Sequence, residues 1–493
     1  METLQRTANR GSVSTGYDID NSTKFEADNT ERMYRAWGGS GGGNDQTWTV
    51  SLWVKRTELG ALQYIWGGGV SANDVIYISF EDEDTLKFRS TKDGANDCIY
   101  VTNRKFRDTS AWYHIVTACD TTSGTAGNRI RFYINGVEET SFSTETDFAQ
   151  NDNTLHNANS SYMEIGTVIG LANRFCGYIA EVISISGSQL APTDFGEYDD
   201  DSGIWIPKQY TGSFPQNSVF LEFKDSSSLG TDTSGNGQTF TLQNISATDQ
   251  ATDTPTNNFA TLNPVFAYSA TASANPIISE GATVLTTQNS GYWHNSVSTI
   301  AVTSGKWYFE AQPGTSSTHV TAIGYGDEED VYTWGVANSH VGGSSTKSNA
   351  YLGSDTAGSS YGRIFPANSS PSTRVNYTNS NIVGVAIDAD NGYVYWAKDN
   401  TYINSGDPTS GSSGTGGYAV PSGTGTNGIL IPSIAAYHHT SLGKILINFG
   451  GYTTISISSG ASDGNGYGTF EYAPPSGYLA LCTKNLASDG GSA

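Results

Sequence analysis

In the first half of the chain apolar side chains recur at every second position. In WTVSLWVKR, Trp48, Val50, Leu52 and Val54 share one face, and Thr49, Ser51, Trp53 and Lys55 share the other. That period of two predicts a strand with one buried side. WYHIVTACD, residues 112–120, is a second such run. In RIRFYINGVEE, Ile130, Phe132 and Ile134 point one way before Asn135-Gly136. An Asn-Gly pair between alternating runs is the strongest short hairpin signal. GYIAEVISIS, residues 177–186, reads as a buried strand.

The second half follows the same logic. GKWYFEAQ alternates Trp307 and Phe309. IVGVAIDADNGYVYWAKDNTY places Val383, Val385 and Ile387 on one face, turns at Asp390-Asn391-Gly392 and returns through Tyr393, Tyr395 and Trp396. ILINFG and PPSGYLALC close the run. Strands of this length, separated by polar turns, build sandwiches or jelly rolls.

Composition agrees. Among 493 residues, glycine (57) is abundant, methionine (3) is scarce, and tyrosine (28) and tryptophan (10) are plentiful. Aromatic and β-branched residues favour strands, and glycine, asparagine and aspartate favour tight turns. The expected fold class is all-β: two antiparallel β-sandwich (jelly-roll) domains in tandem after a short N-terminal arm. The expected boundaries are an arm at 1–22, sandwiches at 23–222 and 265–483, an ordered connector at 223–264 and a tail at 484–493. The connector ends in DTPTNNFATLNP, residues 253–264, which is neither a Gly/Ser tether nor a Pro-rich rod. Pro255 and Pro264 restrict the backbone, and Asn257, Asn258 and Asn263 are turn formers. The reading is a connector docked at a fixed angle.

A net charge of −23 argues against a phosphate-tracking surface. Nucleic acid is not an expected partner. No window approaches the apolar length of a membrane span, so no membrane insertion is expected, and METLQRTANRGS carries no signal-peptide apolar region. Cys98, Cys119, Cys176 and Cys482 lack metal-site spacing and read as reduced, buried thiols.

Several of these words carry a resemblance. WTVSLWVKR, WYHIV, FYING and FCGYIAEV resemble, in order and spacing, a laminin-G-like, concanavalin A-like jelly roll over about 20–222. SGKWYFE, VGVAID…NG…VYW and INFG resemble a SPRY domain over about 265–483. EYDDDSGIWIPKQYTG, FLEFKDSSSLGTDTSGNGQTF and DTPTNNFATLNP resemble a junction of tailed-phage virion proteins, particularly from marine phages.

The concanavalin-like fold also hosts glycan hydrolases, which need two facing carboxylates. In FEDEDTLKF, Glu81 and Glu83 are followed by Thr85 where a third carboxylate belongs, and in GEYDDDSG, Glu197, Asp199 and Asp201 sit among turn residues. Neither matches a strand-borne acid pair, no G-x-S-x-G elbow follows a predicted strand, and no Walker loop is present. The expectation is a protein without enzymatic activity. Two oxygen-rich loops are calcium candidates, one with Asp225, Asp232 and Asn236 and one with Asp199, Asp200 and Asp201. The alternative is a set of Asx turns without metal.

In SPRY domains ligands are met by loops at one end of the sandwich, which the resemblance places at 325–335, 349–363 and 435–441. These carry Tyr332, Trp334, Tyr351, Tyr361, Tyr437, His438 and His439. Tyr332, Trp334, Tyr351, Tyr361 and His438 form the expected ligand-binding set. Aromatic rings stack on sugar C–H faces while small polar residues bond the rim, so a glycan is the expected ligand.

The resemblance thus implies a phage tail-fibre or adhesin subunit, assembled in the host cytoplasm, resident on the virion and attached to a host-surface glycan. The polar arm with Arg6 and Arg10 would contact other virion proteins. No heptad stem exists, so a homo-oligomer, expected as a trimer, would form through sandwich faces or the arm. The competing readings are a capsid or tail decoration protein and a glycan depolymerase.

Overall fold

The computed structural model describes residues 16–37, 44–159, 161–170, 172–269, 275–288, 291–314, 320–327, 339–343, 347–354, 362–365, 375–421, 428–437 and 442–488. The chain is all-β, built from antiparallel sheets, and divides into two compact units between Asn257 and Asn258.

The first unit stacks two sheets. One runs Val137–Glu138, Ile130–Ile134, Trp112–Asp120, Thr47–Arg56, Gly177–Ser186, Ser22–Phe25 and Gln250–Ala251, and Val219–Leu221 also pairs with Gly177–Ser186. The other runs Phe142–Thr146, Ala95–Lys105, Thr85–Lys92, Asp74–Phe80, Gln63–Ser71, Tyr162–Ile165, Arg32–Ala36 and Thr241–Gln243. The predicted alternation is realised: Trp48, Val50, Leu52 and Val54, with Phe132 of the same sheet, join Trp66, Ile76 and Phe88 of the other in the core between the sheets. The Asn135-Gly136 hairpin forms with φ of 49° and 78°. Only glycine fits its second position, because a Cβ there would stand 2.4 Å from the Trp205 ring.

Opposite that core, the outward side chains of Thr47–Arg56 are also covered, which period-two reasoning did not anticipate. Trp53 stacks on His114 at 4.5 Å between ring centroids. Trp205 Nε1 donates to His114 Nδ1 at 2.9 Å, so the neutral ring carries its proton on Nε2 and donates to Ser51 Oγ at 2.8 Å. Burial drives the His114 pKa down to about 3.

The segment 223–264, expected to be a connector, is shared out instead. Phe223, Leu229, Phe240 and Ile245 are core residues of the first unit. Asp253 is buried beside Lys55, and Thr254 and Asn257 exchange backbone hydrogen bonds at 3.1 Å, closing a turn. From Asn258 onward the chain belongs to the second unit, where Ala260 N donates to Leu481 O and Leu262 N to Ala282 O. The physical reason is apolar content: each side of the boundary carries enough large side chains to join a core. All four cysteines are buried, and none is in a disulfide. No described helix is long and apolar enough to cross a membrane.

The second unit also stacks two sheets. One runs Tyr268–Ser269, Trp293–Val297, Ile431–Tyr437, Val320–Gly326, Asn349–Ser354 and Arg363–Phe365. The other runs Ile277–Ser279, Val284–Thr286, Lys444–Asn448, Lys306–Pro313, Val383–Asp388, Tyr393–Lys398 and Thr401–Tyr402. Val383, Val385, Ile387, Trp307 and Phe309 meet Ile323, Ile434 and Trp396 between them.

Candidate functional site

The sheet that contains Trp293–Val297 has a second face, directed away from the core, and the strand registers lay it out in rows. One row runs Trp293, Tyr437, Val320, Ser354, and the next runs Asn295, Ala435, Ala322, Leu352, Arg363. A third runs Val297, Ser433, Gly324, Ala350, Phe365. The centre is paved with small residues, and aromatic rings stand around it. His340 and Val341 lie across this floor, with His340 4.2 Å from the Trp293 ring and 5.8 Å from Phe365. Trp293 also packs on Tyr437 at 5.4 Å, and the Arg363 guanidinium lies over Phe365 at 4.0 Å.

Trp293, Tyr437, Phe365 and Arg363 are all partly exposed. Small central residues let large rings at the rim splay sideways and present flat surface. Polar groups are at hand: Asn295 Nδ2 donates to Ser339 O at 3.0 Å, while its Oδ1 has no donor. His340 Nδ1 donates to the Val341 carbonyl at 2.7 Å, and burial, with Arg363 nearby, pushes its pKa below the ordinary histidine value. A rigid aromatic shelf with a few polar atoms is suited to stacking a sugar ring and bonding its hydroxyls.

The expected ligand set does not gather as one group. Tyr351 is a core residue, fully buried, with its hydroxyl bonded to Val375 O and its ring 4.7 Å from Tyr377. Its register opposite Ile323 and Ile364 turns it inward, while neighbouring Ala350 and Leu352 face out. Tyr332, Trp334, Tyr361 and His438 lie outside the described residues. Val320 pairs with both Ser354 and Tyr437, which sets those three residues in one row. Trp293, which the sequence reading passed over, stands in the Val320 row; its signal was an aromatic ring at the start of the alternating run WHNSV.

The calcium candidates are bound up in turns. Asp232 Oδ1 accepts from Phe220 N and Ser234 N, and its Oδ2 from Ser234 Oγ and Gln238 N. Asn236 spends its amide N–H groups on the carbonyls of Phe214, Pro215 and Ser218. Asp225 caps Ser227. These oxygens face hydrogen-bond donors, a poor fit to a cation. Among the described residues no three acidic, histidine or cysteine side chains gather as a metal site. Of the acids weighed for hydrolysis, Glu81 holds Lys87 at 2.8 Å and the half-exposed Glu197 lies 3.6 Å from Lys208.

One acid escaped the sequence reading. Glu181, embedded in GYIAEVISIS, is 2% exposed and has φ of 44°. Against Thr47–Arg56 the register jumps from Ala180↔Trp53 to Ile183↔Ser51, so Glu181 and Val182 together face one residue in a β-bulge. A charged residue in an otherwise apolar strand was the available signal.

Residues 34–187, within the first unit, match the family model described as the concanavalin A-like lectin/glucanases superfamily. Among solved structures, the SPRY domain of human HERC1 is 14% identical, with 38% of this chain and 96% of that one covered and a TM-score of 0.26. Domain 4 of AbnA, a GH43 extracellular arabinanase from Geobacillus stearothermophilus solved with arabinotriose, is 22% identical (30% and 65% covered, TM-score 0.22). A native heptameric SAP-like pentraxin from Limulus polyphemus is 13% identical (47% and 98% covered, TM-score 0.29). No curated protein matches the chain.

Proposed function

We propose that this chain is a non-enzymatic, glycan-binding attachment protein whose second sandwich presents the sugar-contacting surface. The observation that carries this reading is the partly exposed aromatic shelf of Trp293 and Tyr437 beside His340. The lectin-type match of the first half supports the ligand class. The test is binding of the full chain to an array of bacterial envelope glycans, followed by titration calorimetry on the best ligand. Trp293→Ala lowers affinity about tenfold or more, the loss of one stacked ring. A ligand bound equally by the variant removes the shelf from the reading.

The finer proposal places the protein on a tailed-phage particle as a fibre or adhesin subunit, in several copies, facing the host. The phage-like wording of the stretch from Glu197 to Pro264 supports it. Repetition on one particle raises avidity through effective concentration, so weak single sites suffice. Antibody labelling of purified particles tests the location, and mass measurement of the free protein tests the expected trimer.

A further inference from the structure

The strand Gly177–Ser186 changes neighbours midway. Thr23 pairs with Ile179, but three residues on Val182 pairs with Leu221 of a different strand. Glu181 sits at that seam, inside the bulge, in a left-handed backbone conformation that non-glycine residues disfavour. Tyr17 reaches the seam from the chain entering Ser22–Phe25, and its hydroxyl donates to Glu181 Oε2 at 2.5 Å. Glu181 Oε1 has no hydrogen-bond partner. Two residues after Tyr17, Ile19 is buried and exchanges hydrogen bonds with Thr256.

Glu181 is shut off from water with a single hydrogen bond, from Tyr17, so a charge there is poorly solvated, and that bond is the contribution that favours the carboxylate. Glu222 adds negative charge, tempered by Lys224, which lies 2.5 Å from Glu222. On the other side stand Tyr17, whose own pKa is raised by burial and by Glu181, and Asp20, which adds negative charge next to it.

We propose that Glu181 is a proton-operated latch: residues 17–21 stay docked in the seam while Glu181 carries its proton, and detach when it ionises. Burial raises the Glu181 pKa to about 8, with Glu222 raising it further and Tyr17 and Lys224 opposing. A group whose pKa is raised on docking stabilises the docked state fully below its free value, and that contribution is lost as pH climbs to the docked value. The window is therefore from about pH 4.5, the ordinary value, to about pH 8.

Hydrogen exchange of the full chain, read at peptides spanning 16–22 and corrected for intrinsic rates, tests the latch. In the wild type the opening constant rises about tenfold per pH unit within that window, for one proton released, and levels off above it. Glu181→Gln flattens the profile, and Tyr17→Phe lowers protection at every pH. Where Glu181→Gln does not fold, Glu222→Gln and Lys224→Ala decide: the first moves the plateau to lower pH, the second to higher. A flat wild-type profile, an unchanged slope in Glu181→Gln, or plateau shifts that ignore the sign of the removed charge overturns the proposal.

Discussion

Lys55 Nζ stands 2.7 Å from Asp253 Oδ2, with both side chains shut off from solvent. The other carboxylate oxygen accepts from Trp112 Nε1 at 3.1 Å, and the Asp253 carbonyl accepts from Ser22 Oγ at 2.6 Å. One residue thereby ties the strands Thr47–Arg56, Trp112–Asp120 and Ser22–Phe25 to the end of the first unit. The DTPTN wording has a structural basis: an anchoring aspartate and then a turn.

Breaking this pair leaves a buried charge without its counter-ion. Asp253→Asn is expected to destabilise the first unit by about 3–5 kcal/mol. The double variant Lys55→Met, Asp253→Asn is expected to lose less than the sum of the single losses. Urea denaturation followed by tryptophan fluorescence measures both.

His114 predicts acid sensitivity. Its folded pKa of about 3 lies below the unfolded value of 6.5. The unfolded chain therefore binds the extra proton between those values, and stability present above pH 6.5 is lost as pH falls toward 3. At about 1.4 kcal/mol per pH unit, the His114 share lost by pH 5 is about 2 kcal/mol. His114→Gln should be less stable at pH 7.5 yet show a correspondingly shallower decline on acidification, as measured by chemical denaturation at each pH.

Tyr351 and Trp293 should separate stability from binding. Tyr351→Phe strands the Val375 carbonyl and is expected to cost about 1–3 kcal/mol, with glycan affinity unchanged. Trp293→Ala should weaken binding while shifting the melting temperature little. Thermal melts and calorimetry on the same preparations distinguish the two.

The loops around Asp225, Asp232 and Asn236 predict indifference to chelation. A cation bound only to the native state would raise the melting temperature by linkage. Excess EDTA is expected to leave the melt unchanged, and added calcium likewise.

Period-two runs such as Thr47–Arg56 and Val383–Asp388, and the Asn135-Gly136 turn, were readable because each depends on local geometry. Whether a residue lies in a loop or in a paired strand depends on distant partners, and so Tyr351 was read as a loop residue although it is a buried strand residue opposite Ile323. Asp253 and Glu181 were not recognised for the same reason. Their partners Lys55, Trp112, Tyr17 and Glu222 are far away in sequence, and a carboxylate's burial is invisible until those partners are placed. Trp293 was missed because one exposed ring in a strand looks like any other until its row of small neighbours is assembled.

The strand Val320–Gly326 carries the Trp293 row at Val320 and the Phe365 row at Gly324, so the two rows lie about 13 Å apart along one face. A change at Trp293 or Tyr437 and a change at Phe365 therefore alter separate parts of that face. Each is open to substitution without rebuilding the strand between them.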